Sequence, residues 1–337
     1  MTGLGEIAEA AGVSIATVSR VLNRRAGVND ETRARVLEVV ADRPYRRRGL
    51  GALHRTGVIG LLVPELSNPV FPAFAEELET RAAQAGYAAL LCNTRSAGIR
   101  EEEYTRMLLG RGVEGMVFVC PDSADSTASR ARYRRLQDDG VHIVFINSGA
   151  VSSEVPEIAV DQQAAGYTAT RHLLDLGHRR IGFVCGPAHA LPARLLQIGW
   201  LAALEEAGHP ADPALVAHGP FGADGGALAM SQLLDSAAPT GVICASDLMA
   251  MGAIREAARR GLAVPGDLSV VGFDDITLAA HWSPPLTTLA QPIPAMAAAT
   301  IDELVAGLAP EPRAEHPPAS RIFRAELVVR GSTAAPG

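Results

Sequence analysis

Apolar positions recur with helical spacing over the first forty residues and are broken at short intervals by turn formers. Leu4, Ile7, Ala8 and Ala11 form the inward face of a short first helix, and Gly12 can supply the tight turn that ends it. Ser14 is a good N-cap, because its hydroxyl can accept from an unpartnered N–H of the first turn, so a second helix should begin at Ile15. On a 3.6-residue period Val18, Val21 and Leu22 fall on one side, and Ala16, Ser19, Arg20 and Asn23 on the other. Asn29 can cap a third helix with Asp30 and Glu31 at the positive end of its dipole, and Val36, Leu37, Val39 and Val40 then close a three-helix core.

From Val58 the pattern changes. Apolar runs of strand length alternate with helical patterns: Val58 to Val63 then Phe71 to Ala85, Ala88 to Cys92 then Arg100 to Leu109, Gly115 to Cys120 then Ala131 to Asp138, and Val141 to Asn147. The alternation then restarts, with helices over Gln162 to Leu176, Arg194 to Ala207 and Leu248 to Arg260, and strands over Arg180 to Cys185, Gly241 to Ala245 and Leu268 to Phe273. Such βα alternation predicts an α/β fold with two doubly wound parallel-sheet subdomains facing each other across a cleft.

Charge separates the two regions. The chain of 337 residues carries a net charge of −7, yet residues 1 to 57 hold ten Arg and six acids and are net positive. A basic head on an acidic body fits phosphate contact confined to one end. Cys92, Cys120, Cys185 and Cys244 lie far apart at or near the ends of apolar runs and read as buried free thiols, so no metal and no cofactor is expected. No hydrophobic leader precedes the head and no apolar run approaches membrane-spanning length, so a cytoplasmic protein without membrane contact is expected.

Two short helices joined by a glycine turn form a helix-turn-helix, and the second one presents a face that suits the major groove of DNA. Its small side chains allow close approach, and an arginine can bond both O6 and N7 of a guanine. The residues expected at DNA are Ser14, Ile15, Ala16, Thr17, Ser19, Arg20 and Asn23. Ile15 and Ala16 offer only apolar contact, which leaves Arg20 as the main hydrogen-bonding reader.

The run I-A-E-A-A-G-V-S-I-A-T-V-S-R-V-L-N, followed by V-N-D-E-T-R-A-R-V-L, resembles the headpiece of the lactose-repressor (LacI/GalR) family of transcription regulators. The resemblance implies a three-helix headpiece over residues 1–45, a hinge over 46–57, and an effector-binding and dimerisation body of periplasmic-binding-protein type over 58–337. It divides the body into an N-subdomain (58–160 and 291–320) and a C-subdomain (161–290 and 321–330). It also implies that the hinge turns helical on the operator and wedges a leucine into the minor groove, a position that Leu53 matches best, with Leu50 as the alternative. The hinge departs from the family pattern: it is short by a few residues, Arg47-Arg48 replaces the usual Pro-Asn, and Gly49 and Gly51 each weaken a helix by roughly 1 kcal/mol relative to Ala. A flexible basic linker that contacts phosphates is the competing reading.

Ligands of parallel sheets sit beyond the carboxyl ends of the strands, which nominates Asn68, Phe71, Asn147, Asp161, His189, Arg194, Phe221, Ser246, Asp247, Asp274 and Gln291. A guanidinium and carboxylates can bond vicinal hydroxyls while Phe71 and Phe221 cover the apolar face of a ring. That is sugar chemistry, although a nucleobase would also stack. G-P-A-H-A-L-P-A-R-L-L-Q-I-G-W resembles the family's effector loop and places Arg194 at its ligand arginine, and V-V-G-F-D-D places Asp274 at its ligand aspartate. By the same resemblance Phe221 is an aromatic pocket wall, Asn147 a polar residue after a strand, and Gln291 a residue where the subdomains cross. Ser246, in A-S-D-L-M-A-M-G, stands where the family usually has Asn; its shorter reach points to an effector of different size or hydroxyl pattern. Structural readings stand beside these: Asp161, Asp247 and Asp275 as helix caps or loop ties, Phe71 as core, and His172 and His178 as structural.

The chain contains no G-x-S-x-G, H-E-x-x-H, Walker loop or G-x-G-x-x-G after the first strand, so no enzyme is indicated. The expected function is a DNA-binding transcriptional regulator, a repressor, whose affinity for a palindromic operator is set by a small effector, a sugar or sugar derivative, in the cleft. A homodimer is expected, because one recognition helix reads too few bases and no heptad tail follows Arg330. The alternatives are a solute-binding-protein-like sensor of a nucleobase or nucleoside and a corepressor-dependent regulator.

Overall fold

The structure, a computed structural model, describes residues 4–22, 28–42, 56–94, 100–120, 127–148, 155–209, 212–309 and 320–337. The N-terminal unit has the three expected helices, α1 (Leu4–Ala11), α2 (Ile15–Leu22) and α3 (Asp30–Asp42). Ile7, Ala8, Ala11, Val18, Val21 and Val36 form its core, with Val13, Val28 and Val39 packed against them. Gly12 turns the chain at φ +63°, where a side chain would be strained, and Val13 N–H closes the turn on Ala8 O at 2.9 Å. Both predicted caps form: Ser14 Oγ accepts from Thr17 N–H at 3.1 Å and Asn29 Oδ1 from Thr32 N–H at 2.8 Å. Leu37 departs from expectation. Its side chain is 48% exposed, because the inward stripe of α3 runs through Val36 and Val39 and turns Leu37 outward. The side chains of Leu4, Leu22 and Val40 lie outside the description.

The body consists of two six-stranded sheets. The first has β1 (Val58–Val63), β2 (Ala88–Asn93), β3 (Gly115–Val119), β4 (His142–Ile146), β5 (Glu157–Val160) and β11 (Arg321–Phe323), in the order β11-β5-β4-β3-β1-β2, all pairs parallel. Helices α4 (Val70–Gln84) and α12 (Ile293–Gly307) pack together on one face, and α5 (Glu101–Gly110) and α6 (Thr127–Asp138) lie on the other. The second sheet has β6 (Ile181–Cys185), β7 (Val216–His218), β8 (Gly241–Cys244), β9 (Ser269–Asp274), β10 (Thr287–Ala290) and β12 (Glu326–Val328), in the order β12-β10-β9-β8-β6-β7. Only β12 runs antiparallel among these. Helices α7 (Gln162–Asp175) and α8 (Leu191–Glu206) cover one face, and α9 (Ala223–Ser236) and α10 (Asp247–Arg259) the other.

The chain passes between the sheets three times, at β5 to α7, β10 to α12, and β11 to β12. The third crossing corrects the expected boundary: residues 321–323, expected in the C-subdomain, pair with β5, so the chain changes lobe at 324–325. Several helix starts also differ, that of α6 most, at Thr127 rather than Ala131. Helix α8 begins at Leu191 rather than Arg194, with Pro192, which has no N–H, tolerated in a first turn where none is needed, and α10 begins at Asp247 behind the cap Ser246.

Glycines bring the outer helices of the second lobe into backbone contact. A Cβ on Gly252 of α10 would lie 1.8 Å from Ala223 O, and one on Gly226 of α9 would lie 2.1 Å from Met249 O. Gly252→Ala gains roughly 1 kcal/mol of helix propensity but has no flexible neighbour to displace. Overpacking of about 1–3 kcal/mol should dominate, so chemical denaturation is expected to show a net loss of stability; an unchanged midpoint would mean that α9 and α10 can separate freely.

Candidate functional site

Helix α2 presents Ile15, Ala16 and Arg20 to solvent, with Ile15 55% exposed and Thr17 partly so. Ser14 is also exposed, but its hydroxyl is engaged in the cap and with Thr17 Oγ1 at 2.9 Å, so its first role is to start the helix. An isoleucine open to water on a helix only eight residues long has no structural use that the core explains. The side chain of Ser19, and all of Asn23 and Leu53, lie outside the described residues.

In the body, the carboxyl ends of β3, β4 and β9 carry an unusual backbone. Cys120, Asn147, Asp274 and Asp275 have φ of 45°, 51°, 122° and 54°, and strain of this kind in non-glycine residues gathers where side chains must be held in place. Asn147 follows β4 and is buried; its Oδ1 accepts from Val160 N–H at 2.9 Å and from Gln162 Nε2 at 3.4 Å. Its Nδ2 donates to Gln291 Oε1 at 2.9 Å, and Gln291 Nε2 donates to Asp274 Oδ1 at 2.7 Å. Three nominated residues, from the first lobe, the second crossing and the second lobe, are thus joined in one chain of hydrogen bonds.

Asp274 is buried, and its carboxyl is held well above the usual carboxylate range, first by desolvation and then by the charge of Asp247, with Gln291 opposing. Asp247 is itself fully buried at the start of α10; burial pushes it up to about 7, although Ile276 N–H at 2.8 Å and Thr288 Oγ1 at 2.5 Å donate to it. Beside this pair Asp275 is tied to Arg330 Nη2 at 2.7 Å. The structural readings of Asp247, Asp275 and Asp161 therefore describe real contacts, the last capping α7 through Ala164 N–H at 2.8 Å.

Ser246 caps α10 through Met249 N–H at 3.3 Å and is buried. Asn68 accepts from Val70 N–H at 3.3 Å ahead of α4 and is buried as well. Phe221 is 43% exposed and lies over Gly186, where a Cβ would meet its ring at 2.6 Å. Phe71 is half-buried against the core at the start of α4. Arg194 stands exposed in the first turn of α8 and His189 on the loop before it; neither side chain bonds to a described residue. His172 and His178 serve structure: His178 is buried and bonds Thr240 Oγ1, Ser269 Oγ and Ala334 O, while His172 Nε2 meets Thr333 Oγ1 at 3.0 Å.

Cys120, expected among the buried thiols, is only partly buried, and its thiol is pushed up to about 12 by desolvation and by Asp274 and Glu157, groups of opposite lobes. It therefore lies at the cleft between them. The strand-end rule that nominated Asn147 also points to Cys120, which closes the run of β3. Cys92, Cys185 and Cys244 are buried, and all four thiols are free. Among the described residues no cluster of metal-ligating side chains occurs and no helix is long and apolar enough to cross a membrane.

Comparison with known proteins accounts for both parts. Residues 3–47 match the family described as bacterial regulatory proteins, lacI family, and residues 170–333 match a periplasmic binding protein-like domain. The chain is 45% identical over 341 residues to an HTH-type transcriptional regulator in the aml 5′ region of Streptomyces limosus, covering 98% of this chain and 94% of that protein. It is 41% identical over 343 residues to the HTH-type transcriptional regulator MalR of Streptomyces coelicolor, covering 100% and 98%. A solved complex of the transcriptional regulator CelR with cellobiose matches with a TM-score of 0.75 at 30% identity, covering 98% of this chain and 100% of that one.

The acid pair has a measurable consequence. A carboxyl whose pKa is raised on folding contributes stability that is present in acid and is lost as pH rises through the folded value. For Asp247 the window runs from about 4 to about 7. Asp247→Asn keeps an acceptor for Ile276 N–H and can donate to Thr288. Its melting temperature is expected to gain on the parent's between roughly pH 4 and pH 7, as followed by circular dichroism; parallel curves would show that Asp247 keeps its ordinary pKa.

Proposed function

The chain belongs to the lacI family of bacterial regulatory proteins and is a DNA-binding transcriptional regulator rather than an enzyme, and from that premise we propose that it is a sugar-responsive repressor acting as a homodimer on a palindromic operator. The observation that carries the effector half is the Asn147–Gln291–Asp274 chain, which joins both lobes at the strand ends where ligands of such sheets sit. Asp274, Arg194 and Phe221 supply a buried carboxyl, a guanidinium and an aromatic face, the set that hydroxylated rings need. Phe71, Ser246, Asn147 and Gln291 complete the proposed effector site. Cellobiose in the CelR complex supports a sugar over a nucleobase.

The DNA half rests on α2. Ile15 and Ala16 would meet thymine methyls, Arg20 would read guanine, and Ser14, Thr17, Ser19 and Asn23 would contact the groove and backbone. One such helix reads few bases, and a two-fold dimer doubles the contact. Leu90 and Leu91, exposed on the edge strand β2, offer apolar surface that a second copy would cover. An effector that changes the angle between the lobes changes the spacing of the two headpieces and so the operator affinity. In this reading the segment with Leu53 wedges the minor groove at the centre of the site.

With an operator selected from random DNA by the purified protein, Arg20→Ala should lose roughly 1–3 kcal/mol on that operator and little on unrelated sequence. An equal loss on both would remove base reading from Arg20. In a thermal-shift screen of neutral sugars, sugar phosphates and nucleobases, a sugar should raise the melting temperature, since ligand at 100 times its Kd stabilises by about 2.7 kcal/mol. A nucleobase alone doing so would overturn the sugar reading.

A further inference from the structure

The end of the first sheet remote from the cleft carries a pocket that the effector reading does not use. Strand β4 starts at His142 and stops just before Asn147, and α12 starts at Ile293, after Gln291, and ends at Gly307. At one end of this strand and helix, Asn147 and Gln291 meet in the relay of hydrogen bonds on the cleft floor. At the other end the His142 ring packs on Gly307, where a Cβ would lie 2.6 Å from Nδ1, so the missing side chain lets the imidazole rest on the last turn of α12. His142 and Asn147 are separated by the length of β4, roughly 16 Å of extended chain, which sets the pocket apart from the cleft.

Between the start of β4 and the ends of α6 and α12 lies a cavity of about 170 Å³. An apolar cavity of roughly 150 Å³ holds a benzene ring, so this one has room for a ring-sized body with a short substituent. Val141, Pro156 and Leu304 give it apolar walls, and Glu303 is the only residue among those described on its lining that carries a permanent charge. Neither Glu303 nor His142 makes a side-chain hydrogen bond or ion pair with a described residue.

The fixed charges at this pocket share one sign. A helix carries roughly half a negative charge at its carboxyl end, and α6 and α12 both end here, with Gln137 and Gly307 in their last turns. Glu303 adds a full carboxylate, while Arg134 and Arg135 of α6 do not line the cavity. Desolvation holds the His142 imidazole below its ordinary pKa, so at neutral pH it is uncharged and offers a lone pair instead of repelling a cation. An ammonium or amidinium finds a counter-charge and acceptors there. A carboxylate or phosphate meets charge of its own sign, and a neutral ring gains apolar contact alone.

We propose that this pocket is a second small-molecule site, separate from the cleft, and that it takes a small organic cation: a protonated amine or amidine on a ring-sized apolar body. Glu303 is its counter-ion, His142 a second acceptor, and Val141 and Leu304 the seat of the body. The site does not depend on the sugar reading.

The test is a ligand-observed NMR titration of the full chain with benzylamine, benzyl alcohol and benzoate, which share one ring and differ in charge. Benzylamine should bind with a millimolar or lower Kd, tighter than either of the others by about tenfold or more, a ratio equivalent to about 1.4 kcal/mol. Glu303→Gln, on a partly exposed position of α12, should bring benzylamine to within about threefold of benzyl alcohol. Partial unfolding does not give that result, because it lowers the affinities alike and leaves their ratio unchanged. No binding of benzylamine at millimolar concentration, benzoate or benzyl alcohol binding as tightly as benzylamine, or a ratio unmoved by Glu303→Gln each overturns the inference.

Discussion

A backbone N–H cannot be turned round, and that of Val160 donates to Asn147 across the last residues of two neighbouring strands. From this bond follow the orientation of Asn147, then of Gln291, then the face that Asp274 shows to the cleft. Val160 adjoins the first crossing between the lobes and Gln291 lies on the second, so the same bonds that define the floor also span the segments about which the lobes can move. On the proposed reading, a ligand that engaged Asp274 would act on these crossing segments directly.

Holding that floor requires local sacrifices. Asn147, Asp274 and Asp275 adopt left-handed or strained backbone conformations, and two acids are buried, each raised first by desolvation and Asp274 further by the charge of Asp247. The surroundings offset this with fixed donors: Ile276 N–H and Thr288 Oγ1 on Asp247, Gln291 on Asp274 and the Arg330 guanidinium on Asp275. Tightly packed helices behind the sheet, joined through Gly226 and Gly252, keep these elements from relaxing away from one another. Strain at the strand ends is thus carried by a stiff second lobe.

Much of this was legible in the chain. The caps Ser14 and Asn29 and the turn at Gly12 are local chemistry, and all form as read. Long apolar runs such as β1 and β9 gave their strands, and the strand-end rule led to Asn147, Asp274 and Gln291. Strands β5, β7, β11 and β12, only three or four residues long, are too short to show a period, so the sequence alone does not locate the third crossing at 324–325. Helices α9 and α12 are rich in Ala and Gly, which blurs the contrast between faces. Leu37 misled because apolarity alone does not give the direction of a side chain on a three-turn helix. The relay itself was not legible, since it depends on residues 144 positions apart meeting across two lobes.

If the cleft and the headpieces are linked through the lobes, the coupling free energy must be the same from either end. The decisive measurement is a closed thermodynamic cycle: operator affinity by fluorescence anisotropy without sugar and at saturation, and sugar affinity by titration without operator and at saturation. The account predicts that both affinities change by one common factor, of about 5–150-fold. A sugar that binds in the cleft yet leaves operator affinity unchanged would contradict it.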